Sequence, residues 1–140
     1  MADIGTLQYR VIYGDIDAMG FMYYGHYLRI LEAGRNEFCR DNGVSYRDVE
    51  AAGFFFPVVE VHLSYKRPAR FDDLLTLQTW LSRRTRIRLE FAYSLRRGDE
   101  VLLDGTTVHA CLGKGGRPVR LPPEFDARFP VRGVLESPPA

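Results

Sequence analysis

Between Phe56 and Gly113 apolar and polar residues alternate through four successive segments, and the stretches joining them are too short to hold a long helix. Successive side chains of a strand point to opposite faces, so a period of two marks a strand buried along one side. The segment FPVVEVHLSY sets Val59, Val61, Leu63 and Tyr65 against Glu60, His62 and Ser64. LLTLQTWLS and RIRLEFAYSLR keep the same period, the latter with Ile87, Leu89, Phe91, Tyr93 and Leu95 on one face. Gly98 and Asp99 then supply a hairpin turn into VLLDGTTVHACLG. Parallel neighbours need a crossover helix between them, and neither RPARFDD nor SRRT can provide one. The expectation is an antiparallel meander, joined by an earlier strand in TLQYRVIY, where Leu7, Tyr9, Val11 and Tyr13 share a face.

Helical spacing is confined to the region before the four segments. From His26 onward, Tyr27, Ile30, Leu31, Gly34 and Phe38 recur on one helical face, with Arg29, Glu32, Arg35, Glu37 and Arg40 mostly on other faces, and DNG closes the helix at Gly43. A glycine inside a helix costs about 1 kcal/mol relative to alanine, so Gly34 on the apolar face implies that a sheet packs close there. SYRDVEAAG reads as a short second helix with Ser45 as N-cap and Gly53 as stop, and PPEFDARFP as a terminal helical turn. Strand, long helix, then four strands gives an α+β class, a five-stranded antiparallel sheet wrapped around one long helix. The 140 residues fit one domain, 1–140, with its core over about 6–122 and a frayed tail in RGVLESPPA.

With 19 Lys and Arg against 18 Asp and Glu, the chain lacks the basic excess of a nucleic-acid or membrane-surface protein, which leaves small molecules or a second copy of itself as partners. Cys39 and Cys111 lie far apart with no Cys-x-x-Cys or Cys/His spacing, so neither a metal site nor a disulfide is expected, and the reading is a reducing cytoplasm. The start MADIGTLQYRV lacks the basic end and apolar core of a signal peptide, and no apolar run approaches the roughly 18 residues of a membrane span.

The stretch YGDIDAMGFMYYGHY places Asp15 and Asp17 one residue apart, immediately before the long helix. Aspartates in such a turn can simply bind its amides. Three segments together carry more information: YGDIDAMGFMYYGHYLRILEAGR, VEVHLSYKRPARFDDLL and TTVHACLGKGGRPVRLP. In these the chain resembles the hotdog-fold acyl-CoA thioesterases, specifically the 4-hydroxybenzoyl-CoA thioesterase and YbgC-like branch, over nearly everything from Tyr9 to Pro122. Tyr24 agrees with the 4-hydroxybenzoyl-CoA enzymes, whereas many YbgC-like members carry His there and Asn where this chain has His26.

The resemblance implies hydrolysis of a thioester to free acid and thiol, with Asp17 as the catalytic carboxylate and the amide at Tyr24 polarising the carbonyl. The residues suit that chemistry. A carboxylate can attack the carbonyl carbon or deprotonate a water, and the first amides of a helix, here Tyr24, Gly25 and His26, have no intrahelical partners and can face an oxyanion. Asp15 is read as structural. Tyr23 and Phe54, Phe55 and Phe56 could line an acyl pocket, while Lys66, Arg67, Arg83 and Arg84 could hold the phosphates of coenzyme A. His62 and His109 are set aside as strand residues satisfied by their neighbours, and Glu32 as a helical surface charge that could alternatively serve as a base. A dehydratase or hydratase on the same fold, or a non-catalytic module binding acyl thioesters, are the competing readings. No cofactor is expected. The substrate would be an acyl-CoA or an acyl group on a carrier protein, and the resemblance implies a homodimer through the strand after the helix, as a dimer of dimers.

Overall fold

In the computed structural model, which describes Asp3 to Arg132, the strands are β1 (Gly5–Arg10), β2 (Val58–Tyr65), β3 (Leu74–Arg84), β4 (Arg88–Arg97) and β5 (Glu100–Ala110). They form one antiparallel sheet in the order β1-β3-β4-β5-β2. Only β3, β4 and β5 make the expected meander. β2 lies outside β5, with Tyr65 opposite Leu103 and Ser64 opposite Asp104, and β1 lies outside β3. Alternation fixes which face a side chain takes and leaves the neighbouring strand open. The 66–73 segment therefore crosses the end of the sheet, past β5 and β4, a distance of about 14 Å at the usual strand spacing. The tail expected to fray lies, from Gly133 on, outside the described residues.

Helix α1 (Tyr27–Asp41) follows a single 3-10 turn at Tyr24–His26 and stops where Gly43 takes φ +77°. Its buried residues include Tyr27, Ile30, Leu31, Gly34 and Phe38, the face expected from spacing. A Cβ on Gly34 would lie 2.4 Å from Leu77 Cδ2 and 2.7 Å from Thr79 Oγ1, so the close approach of helix to sheet requires glycine there. Leu77, Leu81, Phe91 and Leu95 complete the core beneath it, with the Phe38 and Phe91 rings edge to face at 5.9 Å. Two short helices follow expectation: α2 (Tyr46–Ala51), where the Ser45 hydroxyl accepts from the Asp48 N–H, and α3 (Pro123–Asp126). No helix among the described residues is long and apolar enough to cross a membrane.

Three further expectations change. Strand β1 ends at Arg10, and Tyr13 begins a 3-10 turn and is exposed, because Asp15 draws the Ile12 N–H onto its carboxylate and bends the chain away from β3. Arg35 is buried, 7 % exposed, an exception to the spacing that sets most of the helix's charged residues off the apolar face. Its guanidinium donates to Tyr93 Oη at 3.1 Å, reaching over the sheet. β4 is also buried on both faces: Tyr93 and Leu95 face α1, while Ala92, Ser94 and Arg96 on the other side are covered as well.

Candidate active site

The chain between β1 and α1 is built around two carboxylates with different surroundings. Asp15 is nearly buried, and its Oδ2 accepts from Tyr9 Oη at 2.7 Å and from the Ile12 N–H at 3.0 Å. Burial and this bond push the Tyr9 phenol up to about 12. Asp15 also gives its main-chain carbonyl to the Tyr23 N–H, tying the loop to the start of the helix. Its contacts are those of a structural residue.

Asp17 closes a small loop of its own. Its N–H donates to Phe21 O, its carbonyl accepts from the Gly20 N–H, and Gly20 takes φ +83°. Of the side chain, Oδ1 accepts from the Met19 N–H at 2.9 Å and from the Phe21 N–H at 3.4 Å. Among the described residues Oδ2 has no hydrogen-bond partner. One oxygen thus orients the group and the other is available. The side chain lines an open cavity of about 310 Å³ together with Met19, Tyr24, Tyr65, Lys66 and Arg67.

Opposite it stands the start of the helix. The Tyr23 carbonyl accepts from the His26 N–H at 3.0 Å, and the Tyr24 carbonyl accepts from Tyr65 Oη at 2.8 Å. In a trans peptide the N–H points away from the carbonyl of the same plane. Those two bonds therefore fix the Tyr24 and Gly25 N–H groups on the opposite side, and neither has a partner among the described residues. The His26 N–H is already used, which removes it from the three amides expected to face an oxyanion. Tyr65 is itself held edge to face on Tyr27 at 5.3 Å, and Tyr27 Oη accepts from the Ala69 N–H, so β2, the 66–73 segment and the helix start are locked together. Burial raises the Tyr27 and Tyr65 phenols, so both stay neutral, Tyr65 donating and Tyr27 accepting.

A carboxylate with a free oxygen, two unpaired amides and a cationic rim are the parts that an acyl-transfer site requires. The sequence profile of the Thioesterase-like superfamily matches residues 11–129. The chain belongs to that superfamily. It is similar to the acyl-CoA thioesterase YbgC of Haemophilus influenzae, 33% identical over 86% of this chain and 90% of the relative. A DHNA-CoA thioesterase from Staphylococcus aureus superposes with a TM-score of 0.85 at 25% identity, covering 89% of this chain and 87% of the other. A 4-hydroxybenzoyl CoA thioesterase mutant complexed with 4-hydroxybenzoyl CoA superposes with a TM-score of 0.84 at 23% identity, over 92% and 100%. These likenesses identify the sheet around one helix as the hotdog fold.

Within this thioesterase-superfamily chain, Asp17, Tyr24, Lys66 and Arg67 come together in one cavity. Lys66 and Arg67 sit on its rim in loose surface pairs with Asp104 at 3.7 Å and Glu100 at 3.6 Å. Arg83 and Arg84 lie at the opposite end of β3, and Arg84 donates to the Phe129 and Asp126 carbonyls, holding the C-terminal turn. Gly25 has a packing reason for being glycine: a Cβ there would lie 2.7 Å from the Tyr23 ring. The Tyr23 ring stacks edge to face with His26. Phe55 and Phe56 line a second, larger groove with Glu32, separate from Asp17 within one chain. His109 is satisfied inside the sheet by Thr107 and the Phe56 carbonyl, and His62 is exposed beside Glu60. Spacing alone did not single out Tyr65 or Tyr27 as parts of the site. Both are aromatics on alternating or helical faces, where core packing is the default meaning, and only the fold brings Tyr65 onto the helix start.

Proposed function

We propose that Asp17 is the catalytic carboxylate of this acyl-CoA thioesterase, with the Tyr24 and Gly25 amides receiving the oxyanion. The observation that carries the reading is the asymmetry of the Asp17 carboxylate in a residue that lines the cavity: two amides hold Oδ1, while Oδ2 has no partner among the described residues. Acting as nucleophile or as general base toward a water, it adds an oxygen to the thioester carbonyl carbon. The carbon–sulfur bond then breaks and the thiolate takes a proton; on the general-base route the acid is released directly, and on the nucleophilic route a water hydrolyses the mixed anhydride formed with Asp17, releasing the acid and restoring the carboxylate. Lys66 and Arg67 suit phosphate groups of coenzyme A at the rim. An acyl group on a carrier protein is the other handle the site could take, and the location is cytoplasmic.

The working unit is a homodimer through β2, assembled as a dimer of dimers from single-domain chains. Antiparallel pairing of β2 with its twin would set Val58 of one copy near Tyr65 of the other. The Phe55 and Phe56 groove of one copy would then adjoin the Asp17 cavity of its twin. That arrangement favours aromatic or medium acyl groups over acetyl.

The decisive experiment replaces Asp17 by Asn and follows thiol release from a panel of acetyl-, hexanoyl-, palmitoyl- and benzoyl-type CoA thioesters. The asparagine carbonyl still accepts from Met19 and Phe21, so the loop stays formed, but an amide is neither nucleophile nor base. The expected result is a fall in kcat of roughly 10²-fold or more with KM changed far less. Near wild-type kcat in a folded Asp17→Asn protein would move the chemistry elsewhere. Equal efficiency on acetyl and benzoyl thioesters would remove the acyl preference.

A further inference from the structure

Tyr65 is the last residue of β2, and its side chain leaves the sheet for the start of the helix. The strand is anchored at that end: Tyr65 stands opposite the fully buried Leu103, and the Lys66 and Arg67 N–H groups both donate to the Leu102 carbonyl, at 2.8 and 3.2 Å. The ring meets Tyr27 edge to face and, at 6.5 Å, Tyr24 as well. Packing of this kind needs a ring and no hydroxyl. Tyr65 also lines the open Asp17 cavity and is 45% exposed, so water could satisfy a hydroxyl there. The hydroxyl donates instead to the main chain 41 residues earlier, at the Tyr24 carbonyl.

That acceptor gives the bond a chemical consequence. The Tyr24 carbonyl and the Gly25 N–H belong to one peptide plane. The preceding plane, which carries the Tyr24 N–H, is held locally by the bond from the His26 N–H to the Tyr23 carbonyl. Tyr65 supplies the tie from outside the turn to the second plane. Gly25 follows that plane, and a residue without a Cβ resists its rotation least. A donor on a carbonyl does two things to the amide behind it. It fixes the direction of the N–H, and by drawing density toward the oxygen it makes that N–H a stronger donor. Burial raises the Tyr65 phenol, so the hydroxyl keeps its proton near neutral pH.

We infer that Tyr65 is a positioning residue for thioester hydrolysis: its hydroxyl holds the Tyr24–Gly25 peptide so that the Gly25 N–H faces the carbonyl oxygen of the substrate, and it does so without touching the reacting atoms. The inference rests on the proposed Asp17 chemistry with the Tyr24 and Gly25 amides as oxyanion donors. Removing an oxyanion donor costs roughly 10²–10³-fold in kcat, and a donor that is present but loosely aimed costs less.

Tyr65→Phe keeps the ring and removes the bond. In thiol release from benzoyl-CoA, kcat should fall roughly tenfold while KM stays within about twofold, because the aimed amide acts on the transition state more than on the bound ground state. A hydroxyl that only braced the helix start would lower the melting temperature and leave kcat alone. The second readout is the infrared band of benzoyl-CoA labelled with carbon-13 at its carbonyl and bound to Asp17→Asn. That band should lie below its frequency in water, and in Asp17→Asn/Tyr65→Phe it should return part of the way. The Asp17→Asn band is measured with Tyr65 unchanged, so it tests the arrangement whether or not Tyr65→Phe folds. A band at its aqueous frequency in Asp17→Asn, wild-type kcat in folded Tyr65→Phe, or the same band with and without the Tyr65 hydroxyl would each overturn the role of Tyr65. Continued hydrolysis by Asp17→Asn would instead sink the Asp17 chemistry, and kcat in Tyr65→Phe would still decide what the hydroxyl does.

Discussion

Asp15 and Asp17 are the same residue type in the same turn, and what separates them is the number of carboxylate oxygens that the fold consumes. Asp15 spends its charge on Tyr9 and Ile12 beneath the surface. Asp15→Asn should therefore lower stability by about 1–2 kcal/mol, the loss of a charged acceptor in partly buried bonds, and leave turnover near wild type. Thermal melting and thiol release on the same preparations check both halves. His109 gives a second residue-scale test. Burial is the main cause that lowers its imidazole from 6.5 to about 4, so the unfolded chain binds this proton more readily than the folded one between those values. Its contribution is fully present above pH 6.5 and is lost as pH falls toward 4, at most about 3 kcal/mol. Denaturant midpoints from pH 7 to pH 4 should fall less steeply in His109→Gln than in the wild type. The proposal for Asp17 starts in the sequence because motif and chemistry coincide there. The consumption of the His26 amide was not, since it depends on a single 3-10 turn ahead of α1 that no spacing rule encodes.

At the scale of elements, period and punctuation carried most of the information. Gly34 marked the contact of α1 with the sheet, and Ser45, Gly43 and Gly53 marked helix ends, because each of these residues has a local physical reason to be where it is. The place of β2 in the sheet has no such local signature. Alternation in VVEVHLSY looks like that of a half-buried strand, yet apart from Leu63, which is only partly buried, the strand is exposed. Arg35 is the exception on α1 for a related reason: helical spacing assigns charge to the solvent face, and the hydroxyl that receives this guanidinium comes from β4, 58 residues away. Gly34→Ala tests the helix–sheet contact. Alanine would gain about 1 kcal/mol in helix propensity, but its methyl would lie 2.4 Å from a side chain buried in the core. Overpacking of that kind costs about 1–3 kcal/mol. The variant should be less stable than the wild type by chemical denaturation, and Leu77→Val in the same chain should restore part of the loss.

Taken as a whole molecule, the sheet has two edges that are treated differently. β3 runs past β1, and beyond their last paired residues the Arg132 N–H donates to the Leu81 carbonyl, so the C-terminal segment covers part of that edge. The other edge is β2, which carries Val58, Val59 and Val61, each nearly half exposed, and has β5 on one side only. A long apolar strand with an open row of main-chain donors and acceptors is a template for a further strand, and an identical chain supplies one of matched length. The proposed β2–β2 pairing predicts a scattering mass of at least twice 16.1 kDa for the wild-type chain. Val61→Lys puts a charge near the middle of the strand, where two copies would face each other, and should return the mass to that of one chain without loss of secondary structure by circular dichroism. If the Asp17 cavity of one copy works against the Phe55 and Phe56 groove of the other, the same variant should lose most of its activity on benzoyl-type thioesters with Asp17 intact. A wild-type chain that scatters as an active monomer at micromolar concentration would sink both the pairing and the shared site.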